Sequence, residues 1–230
     1  GRGDFGRAYL IQVWQQMFHP AEFEKPAWRA RMKRSTLFEF GTHALDLVCY
    51  LFDAFPERVS AQIPGARRDF DSDVVVQLTL SFADGRIATL CFNRISHAPE
   101  RYLEMRIDCE DASLRISLGG VARASLDVVR HRAGRRLRPR LSLVQGGEAR
   151  VEAGGRSWLL AKEPRLAFTS ATQAHLRRVL EARDSGDLMR AEVEHAREVL
   201  RLALLGYDSA ALGQTLCVRT GRAVQESAEN

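Results

Sequence analysis

The feature that most constrains this chain is a run of strict alternation. Val74, Val76, Leu78, Leu80 and Phe82 are apolar, and between them stand Val75, Gln77, Thr79 and Ser81. A period of two is the period of a β-strand with one buried face. Ala83-Asp84-Gly85 follows, residues that tolerate the positive φ of a tight turn, and Arg86 to Phe92 returns as the partner strand. A chain with such a hairpin at its centre must build an antiparallel sheet and cover at least one face of it.

The flanking segments say what covers it. Ala8 to Trp14 reads as a strand, Leu37 to Phe52 as a helix, and Val59 opens a series of short strands that runs to about Val129. Further strands are expected at Leu103–Cys109, Ser113–Leu118 and Ser125–Arg130. Phe168, Ala171, Leu176, Val179 and Leu180 suggest one late helix. Val193, Ala196, Leu200, Ala203 and Tyr207 suggest a second, with its apolar stripe on the sheet. The expected class is α+β, a largely antiparallel open-faced sheet with helices packed on one face. Strands do not alternate regularly with helices, so a complete doubly wound nucleotide-binding domain is not expected within these residues.

Composition narrows the function classes. The net charge is 34 − 29 = +5, and 45% of residues are hydrophobic, ordinary for a globular chain. No apolar run reaches the ~18 residues of a membrane span, and no signal-like segment opens the sequence. Cys49, Cys91, Cys109 and Cys217 lie far apart with no CxxC pair, which argues for reduced thiols, a cytoplasmic setting and no structural zinc. The chain opens at Gly1 in loop-like sequence, as expected of a piece of a longer protein.

Glu39, His43 and Asp46 stand at i, i+4 and i+7, which puts them on one face of the Leu37–Phe52 helix. A carboxylate beside an imidazole can fix its tautomer and favour its protonated form, so the free nitrogen exchanges a proton near neutral pH. Spacing alone leaves three uses open: an ion pair at a helix N-terminus, acid–base chemistry, or a metal site. Two other signals are weaker. Gly1-Arg2-Gly3-Asp4-Phe5-Gly6 satisfies G-x-G-x-x-G, yet no strand precedes it and Ala8 begins a strand, so it reads as coincidence. Six arginines between Arg130 and Arg140 could meet phosphates, but aromatic residues for base stacking are absent there. They read as the charged tip of a hairpin, and neither a nucleic acid nor a membrane is expected as a partner.

Phe38-Glu39-Phe40-Gly41-Thr42-His43-Ala44-Leu45-Asp46 resembles the "acid-x-G-x-H-x-x-D" helix of the Gfo/Idh/MocA (glucose–fructose oxidoreductase/inositol dehydrogenase) family. Pro56 to Ala61, the Val74–Phe82 hairpin with Asp84-Gly85, and the close from Tyr207 through Gly213 to Val218 resemble the same proteins. The resemblance covers nearly the whole chain, and only their C-terminal half. It implies that residues 1–230 are a single substrate-binding and oligomerisation domain, dihydrodipicolinate-reductase-like, without the N-terminal Rossmann domain that holds NAD or NADP. It implies a sugar, inositol or related polyol as substrate, hydride exchange with the nicotinamide, and a homo-oligomer formed through the open sheet face. His43 and Glu39 would be the catalytic pair, with Glu39 in place of the family's usual Asp; Asp46 would anchor the helix. Trp28, Arg29 and Asn93 would touch substrate. Lys25, in Glu24-Lys25-Pro26, lies too close to His43 in sequence to match the family's Lys. The alternative is a binding or scaffold module without catalysis.

Overall fold

The computed structural model describes residues 4–18, 28, 32–65, 73–97, 101–118, 122–131, 134–143, 147–162, 167–182 and 187–224. Strands β1 (Ala8–Gln16), β2 (Arg58–Gln62), β3 (Val75–Ser81), β4 (Ile87–Asn93), β5 (Arg101–Cys109), β6 (Ser113–Leu118), β9 (Glu148–Ala153), β10 (Arg156–Lys162) and β11 (Leu216–Cys217) form one sheet. Its order is β10-β9-β6-β5-β1-β4-β3-β2-β11. Among the described residues, strands β7 (Ala122–His131) and β8 (Gly134–Leu143) pair only with each other, so the strand expected at Ser125–Arg130 is not part of the main sheet. The side chains of that hairpin, the arginine-rich segment included, lie outside the described residues.

The β3–β4 hairpin takes the register its alternation implies: Val76 faces Phe92, Leu78 faces Leu90 and Leu80 faces Ala88. These residues are buried, while Val75, Gln77, Thr79, Thr89 and Cys91 are half-buried on the other face and Ile87 there is exposed. Gly85 closes the turn at φ +81°, a conformation an L side chain resists. The pairing is antiparallel except between β1 and β4, which run parallel. First in sequence, β1 is inserted at the middle of the sheet, between β4 and β5.

Helices α1 (Thr42–Phe52), α2 (Ala167–Ala182) and α3 (Asp187–Leu212) complete the fold. A π-helical turn, Thr36–Gly41, leads into α1, so the expected continuous helix from Leu37 is two kinds of helix joined at Gly41. Asp53, in the left-handed region at φ 49°, ends α1, with N–H bonds turned back to the last carbonyls. Leu37, Leu45, Val48 and Leu202 pack with Ile11, Leu78, Leu90, Phe92 and Met105 in one core.

Two sequence expectations about the late helices need correction. In α3 the buried residues include Val199, Leu202, Ala203, Gly206, Tyr207 and Ser209, so of the expected stripe Ala203 and Tyr207 are buried while Val193, Ala196 and Leu200 are exposed. α2 packs against α3 rather than lying on the sheet, and Leu176 and Leu180 are 54% and 66% exposed. Both helices carry apolar residues on more than one face, so periodicity could not select the buried side.

Candidate functional site

On α1 and the turn before it, Leu37, Ala44, Leu45, Val48 and Phe52 face the core. Glu39, His43, Asp46 and Tyr50 form the stripe on the other side; Glu39 is half-buried and the other three are exposed. The imidazole of His43 makes no hydrogen bond among the described residues. Neither of its nitrogens has a partner there, and the Glu39 carboxylate does not accept the hydrogen bond from His43 that the motif implies. Asp46 is joined to α3: its Oδ1 lies 2.7 Å from Nε2 of His195. That ring in turn packs 5.1 Å from the ring of Phe55. Beneath Asp46, burial, with a smaller contribution from the Asp46 carboxylate, pushes the Cys49 thiol up to about 12, which leaves it an inert packing group.

What fixes this stripe in space is a buried polar cluster that the sequence did not signal. Ser35, at the N-terminal end of the π-turn, makes no capping bond with its own side chain. Asp73, 5% exposed in the segment before β3, supplies the acceptors instead. Its Oδ1 accepts the N–H of Ser35 at 2.7 Å and of Thr36 at 3.0 Å, and its Oδ2 accepts that of Leu37 at 3.1 Å. Tyr207 on α3 donates its hydroxyl to Asp73 Oδ2 at 2.5 Å, and the Tyr207 hydroxyl oxygen accepts the Phe38 N–H at 3.2 Å. Burial first, and the Asp73 carboxylate second, hold the Tyr207 phenol above its ordinary range, so it stays a donor. Arg94, after β4, donates from Nη1 to Ser35 Oγ at 2.9 Å and lies 4.9 Å from the centre of the Phe40 ring.

Asp73 is one of 29 acidic residues, and the partners that single it out are 36 to 134 positions away. No local pattern marks such a residue. The same holds for Arg94 and Tyr207.

Of the substrate-contact residues expected, Trp28 is 62% exposed. Arg29 lies outside the described residues, as do Lys25 and Gly1 to Gly3. Asn93 is on the open face of the sheet: Phe92 beside it is buried in the core, and Arg94 reaches Ser35 on the helix side. Its Oδ1 accepts the Ile95 N–H at 3.0 Å. The fold thus brings Arg94, and not Asn93, to the side of the sheet that carries His43. Among the described residues no group of three or more His, Cys, Asp or Glu is arranged to hold a metal.

The surroundings of Gly6 do not fit a dinucleotide. Gly6, at φ +76°, leads into a strand rather than a helix. A Cβ there would lie 2.8 Å from both Asp111 Oδ2 and Glu110 Cβ, and Glu110 Oε2 accepts the Arg7 N–H at 3.0 Å. Two carboxylates beside Gly6 would repel a diphosphate, and the described element that follows is a strand, not a helix whose N-terminus could attract one.

The described residues thus form an α+β domain whose mixed nine-stranded sheet carries a helix with Glu39 and His43 on its outer face. The GFO/IDH/MocA C-terminal domain profile matches residues 1–115, and the chain belongs to that family. Its fold is similar to that of an oxidoreductase from Agrobacterium radiobacter in complex with NAD+, L-tartaric acid and magnesium, with TM-score 0.65 and 12% identity over 94% of this chain and 58% of that one. The aldose-aldose oxidoreductase from Caulobacter crescentus, complexed with glycerol, is similar at TM-score 0.64 and 16% identity, over 93% of this chain and 56% of that one. So is GenD2 from gentamicin A biosynthesis in complex with NAD, at TM-score 0.64 and 18% identity, over 94% and 57%. The chain thus spans 58% or less of the length of these structures. No curated protein matches it in sequence. No helix among the described residues is long and apolar enough to cross a membrane.

Proposed function

We propose that this chain is the substrate-binding and oligomerising part, residues 1–230 forming one domain, of an NAD(P)-dependent oxidoreductase acting on a sugar, inositol or related polyol. One observation carries the reading: in a member of this family, His43 stands exposed on the α1 face that also holds Glu39 and Asp46. An imidazole with both nitrogens open can take a proton from a substrate hydroxyl or return it. In this reading Glu39 orients that ring once substrate is bound, Asp46 ties α1 to α3, and Trp28, Arg29 and Asn93 are the substrate contacts. The nicotinamide cofactor, NAD or NADP, belongs on a separate nucleotide-binding part, because Gly6 here is flanked by Glu110 and Asp111. The chain's own share is to hold the substrate and move its hydroxyl proton.

The outer face of the sheet, with Gln77, Thr79, Thr89 and Cys91 half-buried and no helix packed on them among the described residues, suits packing against a second copy. The four free cysteines accord with a reducing, cytoplasmic location. A binding module without catalysis is the second reading, and what favours it is that Glu39 does not accept a hydrogen bond from His43 to orient the ring.

The test is polyol oxidation by the full-length protein, followed by reduced-nicotinamide absorbance. His43→Asn is expected to lower kcat by ~10²–10⁴-fold, the usual contribution of a positioned acid or base, with cofactor affinity unchanged. Turnover at the parental rate would leave the binding module as the surviving reading.

A further inference from the structure

The first N–H groups of a helix have no partners within it, and buried ones must find them elsewhere. At the π-turn four consecutive N–H groups, those of Ser35 to Phe38, are closed by two side chains from distant elements: Asp73 before β3 and Tyr207 on α3. The backbone of Asp73 is held as well, its N–H donating to Lys33 O at 3.2 Å. Ser35 is fixed from a third direction by Arg94. A π-turn is rare, and its wide ring has no stability advantage over an α-turn of the same residues. Something outside it must keep it.

We infer that Asp73 and Tyr207 are positioning residues that hold this segment in its π register and so set where Glu39 lies relative to His43. Glu39 is inside the π-turn and His43 is in the α-helix beyond Gly41. Each residue of an α-helix turns the chain by ~100°. A wide turn advances less per residue than that, so relaxing it to the α register would turn Glu39 about the helix axis relative to His43 and change the separation of the two side chains, although both would keep the same face. Gly41 stands at the junction because an alanine Cβ there would lie 2.6 Å from Leu37 Cδ1. Only the last link of this inference, that the Glu39–His43 arrangement serves proton transfer, rests on the function proposed above.

Two variants test it. Tyr207→Phe keeps the buried ring and removes the hydroxyl. Asp73→Asn keeps the shape and turns one acceptor into a donor. In the 230-residue chain, nuclear magnetic resonance would follow amide exchange at Thr36 to Phe38, the hydrogen-bond register of the turn, and the contact between the Glu39 and His43 side chains. Tyr207→Phe is expected to speed exchange at Phe38 roughly tenfold or more while Leu78 and Leu90 stay protected, the mark of a local opening. The turn should shift toward the α register and the Glu39–His43 separation should change. In the full-length protein the same variant is expected to lower kcat about tenfold with KM little altered, as misplacement of a reacting group does.

Folded variants that keep the π register and an unchanged Glu39–His43 separation would overturn the inference. So would global unfolding of both, which would make the cluster a structural cap alone. If the parental protein oxidises no polyol while the resonance results are as expected, the catalytic reading fails and the positioning role stands.

Discussion

Asp84 shows how one side chain can report on its surroundings. It sits in the β3–β4 turn between Arg86, whose Nε lies 2.7 Å from Oδ2, and Arg7, at 3.1 Å. The Arg86 hydrogen bond is the main cause that holds its carboxyl at about 2. The pKa is depressed in the folded state, so the stabilisation is complete above the ordinary carboxylate range and is lost as pH falls through about 2. Asp84→Asn is therefore expected to lower Tm slightly at pH 7, because the pair is exposed, and to flatten the fall of Tm between pH 4 and pH 2, scanned by circular dichroism. The site residues divide in the same local way. Glu39, His43 and Asp46 were legible because helix periodicity gathers residues at i, i+4 and i+7, while nothing local marks Asp73 or Arg94.

Between elements, α3 approaches the sheet through Gly206. A Cβ at that position would lie 2.8 Å from Leu37 Cδ2 and 3.3 Å from Leu78 Cδ2, and both leucines are fully buried. Alanine would ordinarily gain about 1 kcal/mol of helix propensity over glycine. Here overpacking, which costs about 1–3 kcal/mol, opposes it and wins because neither leucine has room to turn. Gly206→Ala is expected to lower the urea midpoint with the m-value unchanged. A higher midpoint would mean that Leu37 repacks freely, and with it the π-turn. The close approach also explains why α3 is buried along Val199, Leu202, Ala203 and Gly206 rather than along Val193, Ala196 and Leu200. Small residues let two backbones meet, a criterion that a count of apolar positions does not contain.

For the molecule as a whole, the open question of shape is the uncovered face of the sheet. Thr89 lies near its middle, opposite Thr79 on β3 and Gln12 on β1. If that face joins a second copy as proposed, light scattering at micromolar concentration should give an oligomer. Thr89→Arg should then yield a folded monomer, because an unpaired charge buried between two sheets costs several kcal/mol. A parental chain that is monomeric under those conditions would contradict the proposed assembly. The outer strand β10 is exposed throughout, Trp158, Leu159 and Leu160 included, so the core is concentrated between β11 and β5.

The sequence by itself determined the elements whose order is local. The alternation of Val74 to Phe82 and Arg86 to Phe92 set a hairpin and its buried face, and β6 falls at Ser113–Leu118 as its pattern implies. The outward stripe of Glu39, His43 and Asp46 was likewise written in their spacing. Side-chain period and turn chemistry act over a few residues, and those few residues carry them. Tertiary structure alone decided that β1 would enter the centre of the sheet parallel to β4, that the helix would begin as a π-turn, and that Asp73 would close it. Tyr207 and Asp73 meet across 134 positions of sequence. A contact of that kind exists only once the sheet and α3 have packed, because the burial that makes the bond necessary is itself a product of the fold.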